Sequence, residues 1–307
     1  MAFSLVTTFI VAFILSFALA PAARRLALRT GMVDLPGARR MHATVMPRGG
    51  GVAIYAAFWL ALVATAPGDE GGRAALWAAT TLILLIGVAD DRWQLPWYAK
   101  LAGQVAAAAA FVAWGAHIEF VTHPLTGVPV YIGAWCVPLT LCWLVALTNM
   151  VNLIDGLDGL AAGVAAIACV PLMAVALSLG RTEAAFLTDA LGAATLGFLP
   201  HNFNPARLIM GDAGAMFLGF TLGAISVEGA LKGTTALAFV VPVLALGLPI
   251  FETLFSIFRR LAAGRPVYEA DADHLHHRLL ALGLSHRQAV ITLYGVSAIM
   301  GAGALLA

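Results

Sequence analysis

LILLIGVADD, residues 82–91, is an apolar run that ends in two aspartates, Asp90 and Asp91. An aspartate near the middle of a membrane helix costs about 2.5 to 3.5 kcal/mol, so acids at the end of such a run indicate a hydrated site at one face of a membrane. The arrangement recurs along the chain. Further acids lie at the ends of apolar runs at Asp155, Asp158, Asp212, Asp271 and Asp273. So many acids in such places predict a cation-binding site.

The composition excludes an ordinary soluble protein. Hydrophobic residues make up 61% of the chain, charged residues make up 11%, and the mean hydropathy is +0.92, whereas soluble domains carry roughly 25% charged residues. Runs of about 20 apolar residues, the length that spans a bilayer, recur throughout the sequence. We therefore predict a single integral-membrane domain over residues 1–307, with no nucleic-acid partner.

The apolar runs predict an all-α polytopic membrane protein with about ten transmembrane helices. Their approximate intervals are 3–22, 50–66, 74–89, 99–115, 134–149, 159–179, 184–199, 213–230, 234–257 and 288–306. Ten crossings would place both termini on the same side of the membrane. We expect the first run to be a retained helix, because no basic residue precedes it as in a signal peptide.

The basic residues separate the two sides of the predicted bundle. Fourteen of the 17 flank the loops after the first, third, fifth, seventh and ninth helices, and only Arg73, Arg181 and Lys232 lie on the other side. Since cytoplasmic loops carry the excess of Lys and Arg, the acids are predicted to face the cytoplasm and both termini to face outward. The alternating segment HIEFVTHPLTGVPVYIG, residues 117–133, predicts a small β-hairpin on the outward side.

The segment NLIDGLDGL, residues 152–160, is the densest polar stretch. Asn152, Asp155 and Asp158 recur at a spacing of three and would share one face of a helical turn. Gly156 and Gly159 argue against an uninterrupted helix, so an alternative is that Asp158 caps the next helix. Capping needs only one acid and leaves Asn152 and Asp155 available for chemistry.

Asp90 and Asp91 close the third helix, where the helix dipole disfavours two negative charges. Either Arg92 and Lys100 neutralise the pair in a solvated turn, or a metal and a cationic partner require both carboxylates. Lys100 and Gln104 lie four residues apart and face the same way, which favours a shaped pocket.

Asp212 and Arg48 each lie at the start of a predicted helix. Asp212, in MGDAG, accompanies backbone N–H groups that would also favour a phosphate, although a simple N-cap is an alternative. Arg48, in PRGGG, combines a cation with a flexible glycine turn. Those glycines could equally serve close packing of helices.

Three histidines and an arginine lie together in DADHLHHRL. The spacing of His274, His276 and His277 does not match the His-Glu-x-x-His zinc pattern. With Arg278 they fit a phosphate-binding cluster better than a metal site. A solvated loop is the alternative.

Five segments, in this order, resemble the polyprenyl-phosphate N-acetylhexosamine-1-phosphate transferases of glycosyltransferase family 4. They are PRGGG, GVADDRWQLPWYAKLAGQ, NMVNLIDGLDGLAAG, FLPHNFNPARLIMGDAG and DADHLHHRL. The resemblance covers nearly the whole chain, and NLIDGLDGL and MGDAG are its specific motifs. It implies ten or eleven transmembrane helices and a cytoplasmic active site.

The resemblance also implies a reaction. Such enzymes transfer a sugar 1-phosphate from a UDP-N-acetylhexosamine to undecaprenyl phosphate in the bacterial inner membrane, release UMP and use Mg²⁺, with Mn²⁺ as an alternative ion. The histidine segment is similar to the GlcNAc branch; a fucosamine-type sugar and a muramoyl-pentapeptide donor stay open, as does a homodimer. A cation-coupled transporter is the rival class, but its acids would lie near the membrane midplane.

Residue roles follow from the matching motif positions. Asp212 and Asn152 are implied as metal ligands. The implied catalytic residues are Asp90, Asp91, Asp155, Asp158 and Lys100. The implied substrate-binding residues are Arg48, Asn152, Asn202, His274, His276, His277 and Arg278. Asn204 departs from the proline pair of many members. Asp90 is expected to position the nucleophile, since a phosphate monoester with a second pKa near 6 needs little help to ionise.

Overall fold

The computed structural model describes residues 2–35, 44–66, 72–122, 128–231, 236–264 and 274–306. These residues are predominantly helical, which confirms the all-α class. The helices are α1 (Ala2–Thr30), α2 (Gly50–Thr65), α3 (Arg73–Trp93), α4 (Trp97–Ala113), α5 (Cys136–Ile154), α6 (Leu160–Ser178), α7 (Thr182–Asn202), α8 (Gly211–Ser226), α9 (Ala236–Ala245), α10 (Gly247–Ala262), α11 (Leu275–Ala281) and α12 (His286–Leu306). A 3-10 turn, Gly133–Trp135, precedes α5, and a π-helical turn, Val227–Leu231, follows α8.

Several helices have the length and composition of membrane spans. Five described segments qualify on both grounds: Ala2–Thr30, Arg73–Trp93, Gly133–Ile154, Leu160–Ser178 and His286–Leu306. The chain is therefore a helical membrane protein. The count of ten crossings and the outward position of the termini stay predictions.

The predicted ninth helix, 234–257, differs from the structure. The chain forms two helices there, because α9 ends at Ala245 and α10 begins at Gly247. A Cβ atom on Gly247 would lie 2.1 Å from Met300 Cε, so α12 presses directly against the chain at this break. The helix α11 was not predicted either, and it carries two of the three histidines of the segment DADHLHHRL.

Two small antiparallel β-ribbons complete the fold. Strand β3 (Phe120–Thr122) pairs with β4 (Pro129–Tyr131), which confirms the predicted hairpin. Strand β1 (Val33–Asp34) pairs with β2 (Met46–Pro47), a ribbon that was not predicted. The next residue, Arg48, bridges to Ile209 and so brings the glycine turn to the start of α8.

The centre of the bundle is α8, which is buried from Ala213 to Ser226. Glycines on neighbouring helices allow backbone contact with its first turn. A Cβ on Gly51 of α2 would lie 2.2 Å from the nitrogen of Gly214, and one on Gly87 of α3 would lie 2.3 Å from the Cα of Ala213. Because α2 and α3 approach α8 so closely, the start of α2 and the end of α3 lie beside the start of α8.

One end of the bundle therefore collects the predicted site residues, and we refer to it as the carboxylate end. Helices α3, α5 and α7 finish there, and α4, α6 and α8 begin there. The opposite end carries the β3–β4 hairpin and an ion pair in which Arg73 NH2 lies 2.6 Å from Glu183 Oε2.

Candidate active site

Lys100 joins two acids from different helices. Its Nζ lies 3.1 Å from Oδ2 of Asp90 at the end of α3 and 3.3 Å from Oδ2 of Asp212 in the first turn of α8. Asp90 is also held by the backbone N–H of Leu95, 2.8 Å from its Oδ1. The two carboxyl groups lie within hydrogen-bonding reach of each other. We call Asp90, Lys100 and Asp212 the lysine-centred cluster.

Asn152 and Asp155 extend this cluster from the end of α5. The Asn152 amide donates a side-chain hydrogen bond to Asp212. Asp155 follows the last residue of α5, and burial together with the charges of Asp212 and Asp91 raises its pKa to about 8. Burial and the neighbouring carboxylates therefore both oppose the ionisation of Asp155.

Asp91 has different partners from its neighbour Asp90. It is 6% exposed and accepts the N–H groups of Asp212 at 2.9 Å and Ala213 at 3.1 Å. A Cβ on Gly211 would lie 2.5 Å from Asp91 Oδ2, so the glycine makes room for the carboxylate. Asp91 thus caps α8 from another helix, and the alternative of Asp212 as a simple N-cap is wrong, since Met210 occupies that position.

Arg48 completes the environment of Asp91. Its guanidinium lies 3.4 Å from Asp91 Oδ1 and 3.2 Å from Asp34 Oδ1, so it bridges two carboxylates. The structure therefore places Arg48 next to the start of α8, beside the lysine-centred cluster. Whether it contacts a substrate stays a prediction.

Asp158 and Asn202 tie two loops together. Asp158 Oδ2 accepts the Asn204 amide at 3.0 Å and the N–H of Ala206 at 3.1 Å. Asp158 does not cap α6, because the N-cap is Gly159, which has no side-chain cap. Asn202, 2% exposed, accepts the N–H of Gly159 at 3.0 Å and donates to the carbonyl of Leu208. Asn204, the departure from the family pattern, thus holds Asp158.

The histidine segment is fixed by an acid on α10. Glu252 Oε1 accepts the backbone N–H of Leu275 at 2.7 Å and lies 3.1 Å from Nδ1 of His274. Both Glu252 and His274 are buried. The pair therefore anchors the start of α11.

His276 connects this segment to the loop of Asp155 and Asp158. A Cβ on Gly156 would lie 2.5 Å from His276 Nε2, so only a glycine permits the approach. Burial lowers the pKa of His276 to about 4, and the charges of His277 and His274 act in the same direction. His276 is consequently neutral at neutral pH. The ring centroid of His277 lies 4.3 Å from that of His276.

Arg278 ends the histidine segment. Its Cζ lies 5.3 Å from the centroid of the Phe255 ring on α10, a distance at which a cation is attracted to an aromatic face. The structure thus brings all three histidines and Arg278 to the carboxylate end. Asp271 and Asp273 lie outside the described residues.

The oxygen donors at this site fit a hard cation, which would keep much of its coordination shell for water and substrate. In the described part of the chain, no group of three His, Cys, Asp or Glu side chains forms a ready metal cage. Asp212 and Asn152 nevertheless provide neighbouring oxygen donors, and Mg²⁺ is commonly bound by one or two carboxylates plus phosphates. Part of the rise in the pKa of Asp155 comes from the charges of Asp212 and Asp91, which such a cation would offset.

Glu252 and Tyr294 were not among the predicted site residues. Glu252 is the only acid in the predicted interval 234–257, and an acid inside a membrane helix is itself a functional signal. Tyr294 donates a hydrogen bond from its hydroxyl to the carbonyl of Gly159 and has no comparable sequence signal.

A helical membrane bundle whose acids, lysine and histidines converge at one end has the features of a membrane enzyme. A family model described as glycosyl transferase family 4 matches residues 73–230. The chain belongs to glycosyltransferase family 4, which confirms the resemblance inferred from the motifs.

Curated relatives match almost the whole chain. The "probable undecaprenyl-phosphate N-acetylglucosaminyl 1-phosphate transferase" of Bacillus subtilis is 37% identical over 302 residues, 98% of this chain and 84% of that protein. The "decaprenyl-phosphate N-acetylglucosaminephosphotransferase" of Mycobacterium tuberculosis H37Rv is 37% identical over 92% of this chain and 77% of its own length. The Escherichia coli K12 "undecaprenyl-phosphate alpha-N-acetylglucosaminyl 1-phosphate transferase" is 27% identical over 93% and 79%.

Proposed function

We propose that this protein transfers GlcNAc 1-phosphate from UDP-GlcNAc to undecaprenyl phosphate and releases UMP. The observation that carries the proposal is the full-length similarity to relatives whose names specify this transfer. The lysine-centred cluster supports it, because it gathers an acid, a cation and a second acid where two phosphorylated substrates could meet.

The reaction exchanges one phosphoanhydride for another. An oxygen of the carrier phosphate forms a bond to the β-phosphorus of the UDP-sugar, and the bond from that phosphorus to the bridging oxygen breaks. The electron pair leaves with UMP. Both reactants are anions, so positive charge must be positioned at the β-phosphate for them to approach.

This chain supplies such charge from several directions. Lys100 is held between Asp90 and Asp212, so its ammonium is oriented before a substrate binds. Arg48 and Arg278 add positive charge at the same end of the bundle. Together with the histidine segment they would bind the sugar-nucleotide phosphates or the carrier phosphate. Orientation in advance avoids reorganisation during the reaction.

Asp212 and Asn152 would hold Mg²⁺ or, alternatively, Mn²⁺. A bound cation would supply charge neutralisation and Lewis acidity at the diphosphate. Asp90 is bonded to Lys100 and to the N–H of Leu95, which suits a residue that positions the lysine and the nucleophile. Its value as a base is small, since the carrier phosphate is largely ionised at neutral pH.

We propose a location in the bacterial inner membrane, and the charge distribution supports an orientation with the carboxylate end in the cytoplasm. Fourteen of the 17 basic residues lie on that side of the predicted topology. UDP-sugars with a fucosamine-type sugar or a muramoyl-pentapeptide are the alternative donors, and the histidine segment supports GlcNAc over both.

The test is a transfer assay with the purified protein in detergent or nanodiscs. It contains undecaprenyl phosphate, Mg²⁺ or Mn²⁺, and one radiolabelled UDP-sugar from a panel. We expect label in the lipid and an equal amount of UMP with UDP-GlcNAc, and neither product after EDTA. No product with any UDP-N-acetylhexosamine would refute the transferase, and a better substrate in the panel would correct the sugar.

A further inference from the structure

A cavity lies beside α1, apart from the lysine-centred cluster. It has a volume of about 480 Å³, which is within the range of small-molecule sites. Its described lining includes Pro21 and Arg24 of α1, Pro47 of β2, and His201 and Arg207 at the end of α7 and beyond. No residue of the lysine-centred cluster belongs to this lining.

A proline in α1 shapes the cavity wall. Pro21 has no N–H group, so the carbonyl of Phe17, four residues earlier, loses its helical donor. Nε2 of His201 lies 3.1 Å from that carbonyl oxygen and supplies a replacement hydrogen bond. The rings of Phe17 and His201 are also in contact, with centroids 4.8 Å apart. The wall is therefore built by specific contacts between α1 and α7.

Two arginines give the cavity a positive charge. Arg24 Nε donates to the carbonyl of Arg207 at 3.1 Å, which links the two residues. This bond uses one of the five N–H donors of the Arg24 guanidinium. Within the described residues, neither arginine forms an ion pair with a carboxylate. An anion is therefore the ligand that would balance the cavity.

The cavity lies toward the end of α1, far from the first residue of that helix. The rise of about 1.5 Å per residue puts Arg24 about 33 Å from Ala2 along the axis, close to the thickness of the hydrocarbon core. Ile14, Phe17, Pro21 and Arg24 follow one another at helical spacing and share a stripe of α1. Ile14 is 57% exposed and Phe17 is 47% exposed, so an apolar surface leads to the arginines.

We propose that this cavity binds the phosphate headgroup of an anionic membrane phospholipid, whose acyl chains lie along the Ile14–Phe17 stripe. Basic pockets between transmembrane helices at the cytoplasmic face are a recognised form of headgroup site. The bound headgroup would brace the Pro47–Ile209 contact, in which the N–H of Ile209 donates to the carbonyl of Pro47 at 3.1 Å. That contact leads directly into Arg48 and α8.

Native mass spectrometry of the purified protein tests the proposal, with phosphatidylglycerol titrated from mixed detergent micelles. We expect R24Q/R207Q to bind phosphatidylglycerol about thirtyfold more weakly than the wild type, since each surface cation contributes about a factor of five to anionic-lipid binding. The matched control is R25Q, which removes the neighbouring exposed arginine that is outside the described lining. R24K/R207K, which keeps both charges, should lose less affinity than R24Q/R207Q.

Three further ligands separate the sources of the phosphate. Phosphatidylcholine, inorganic phosphate and undecaprenyl phosphate are added to the same variants. Equal weakening in R25Q, or no weakening in R24Q/R207Q, would overturn the site. Saturation by inorganic phosphate alone would overturn a lipid ligand, and selective loss of undecaprenyl phosphate would reassign the cavity to the carrier. Size-exclusion profiles matching the wild type exclude misfolding as the cause.

Discussion

Asp90 and Asp91 are neighbours on α3, yet they face different surroundings. Asp90 pairs with Lys100 near Asp212, whereas Asp91 receives two backbone N–H groups of α8. Successive residues of a helix point about 100° apart, so one turn can serve a reactive cluster with one acid and a helix cap with the next. Adjacent acids in a motif therefore need not share a role.

The loop after α5 repeats the contrast. Burial raises the pKa of Asp155 to about 8, and the charges of Asp212 and Asp91 act in the same direction. Asp158 instead binds the Asn204 amide and the N–H of Ala206. The carboxylate end thus contains a lysine-centred cluster extended by Asn152 and Asp155, and a second set of acids that holds backbone in place.

The largest expected effect concerns the lysine-centred cluster. D212N removes a charge from the lysine-centred cluster, so we expect the transfer rate to fall by about 10²- to 10³-fold with an unchanged melting temperature. The rate of UMP release at saturating substrates measures the effect. The control E183Q neutralises an acid paired with Arg73 at the opposite end and should leave the rate unchanged. A D212N rate near that of the wild type would remove Asp212 from the reaction.

The next largest effect concerns the acids that hold backbone in place. D158A leaves the Asn204 amide and the Ala206 N–H without this acceptor, at a cost of about 1 to 3 kcal/mol. A drop of several degrees in melting temperature is expected in detergent. D158N, which keeps one acceptor oxygen, should lose less. An unaltered melting temperature in D158A would show that these bonds do not stabilise the loop.

A smaller effect is expected at Glu252. E252A removes the anchor of His274 and Leu275, so we expect about a tenfold increase in KM for the UDP-sugar, corresponding to one lost hydrogen bond to a charged group, with a smaller change in kcat. E252Q retains an acceptor for the Leu275 N–H and should recover part of the loss. T253V, which changes the next residue of α10 and leaves Glu252 in place, is the control. Equal KM values in E252A and T253V would contradict the anchoring role.

The smallest effect is a pH dependence of stability. The pKa of His276 is about 4 in the folded protein, below its ordinary value near 6.5. Unfolding therefore takes up a proton between these values, and stability present above pH 6.5 is lost as the pH falls toward 4. The wild type should lose a few degrees more than H276N between pH 7.5 and 5. H117N, at the opposite end of the bundle, is the control. Parallel plots of melting temperature against pH for the wild type and H276N would refute the lowered pKa of His276.

The sequence predicted those features that depend on nearby residues. Apolar runs that end in charged residues predicted the helix intervals around Asp90, Asp155 and Asp212. The alternation of apolar and polar residues around Pro124 predicted the hairpin. The break before Gly247 depends on Met300 of a distant helix. No local pattern shows such a contact.

In the site, too, the contacts between residues close in sequence were the predictable ones. The pairing of Lys100 with Asp90 was foreseen, because ten residues and one short turn separate them. The cap that Asp91 provides depends on α8, about 120 residues further along the chain. Glu252 lies within an apolar run of the sequence, and its partner His274 lies beyond a segment outside the described residues. Long-range partners, not residue types, separated the two groups of acids.

The most direct test of this contrast compares D90N with D91N in melting temperature and transfer rate. D90N should keep the wild-type melting temperature and lose at least about 10²-fold in rate at both pH 6 and pH 8.5. D91N should melt several degrees lower, because the buried cap of α8 is weakened. Recovery of D90N at pH 8.5 would instead assign Asp90 as a base. Equal melting temperatures for D90N and D91N would contradict the division of roles.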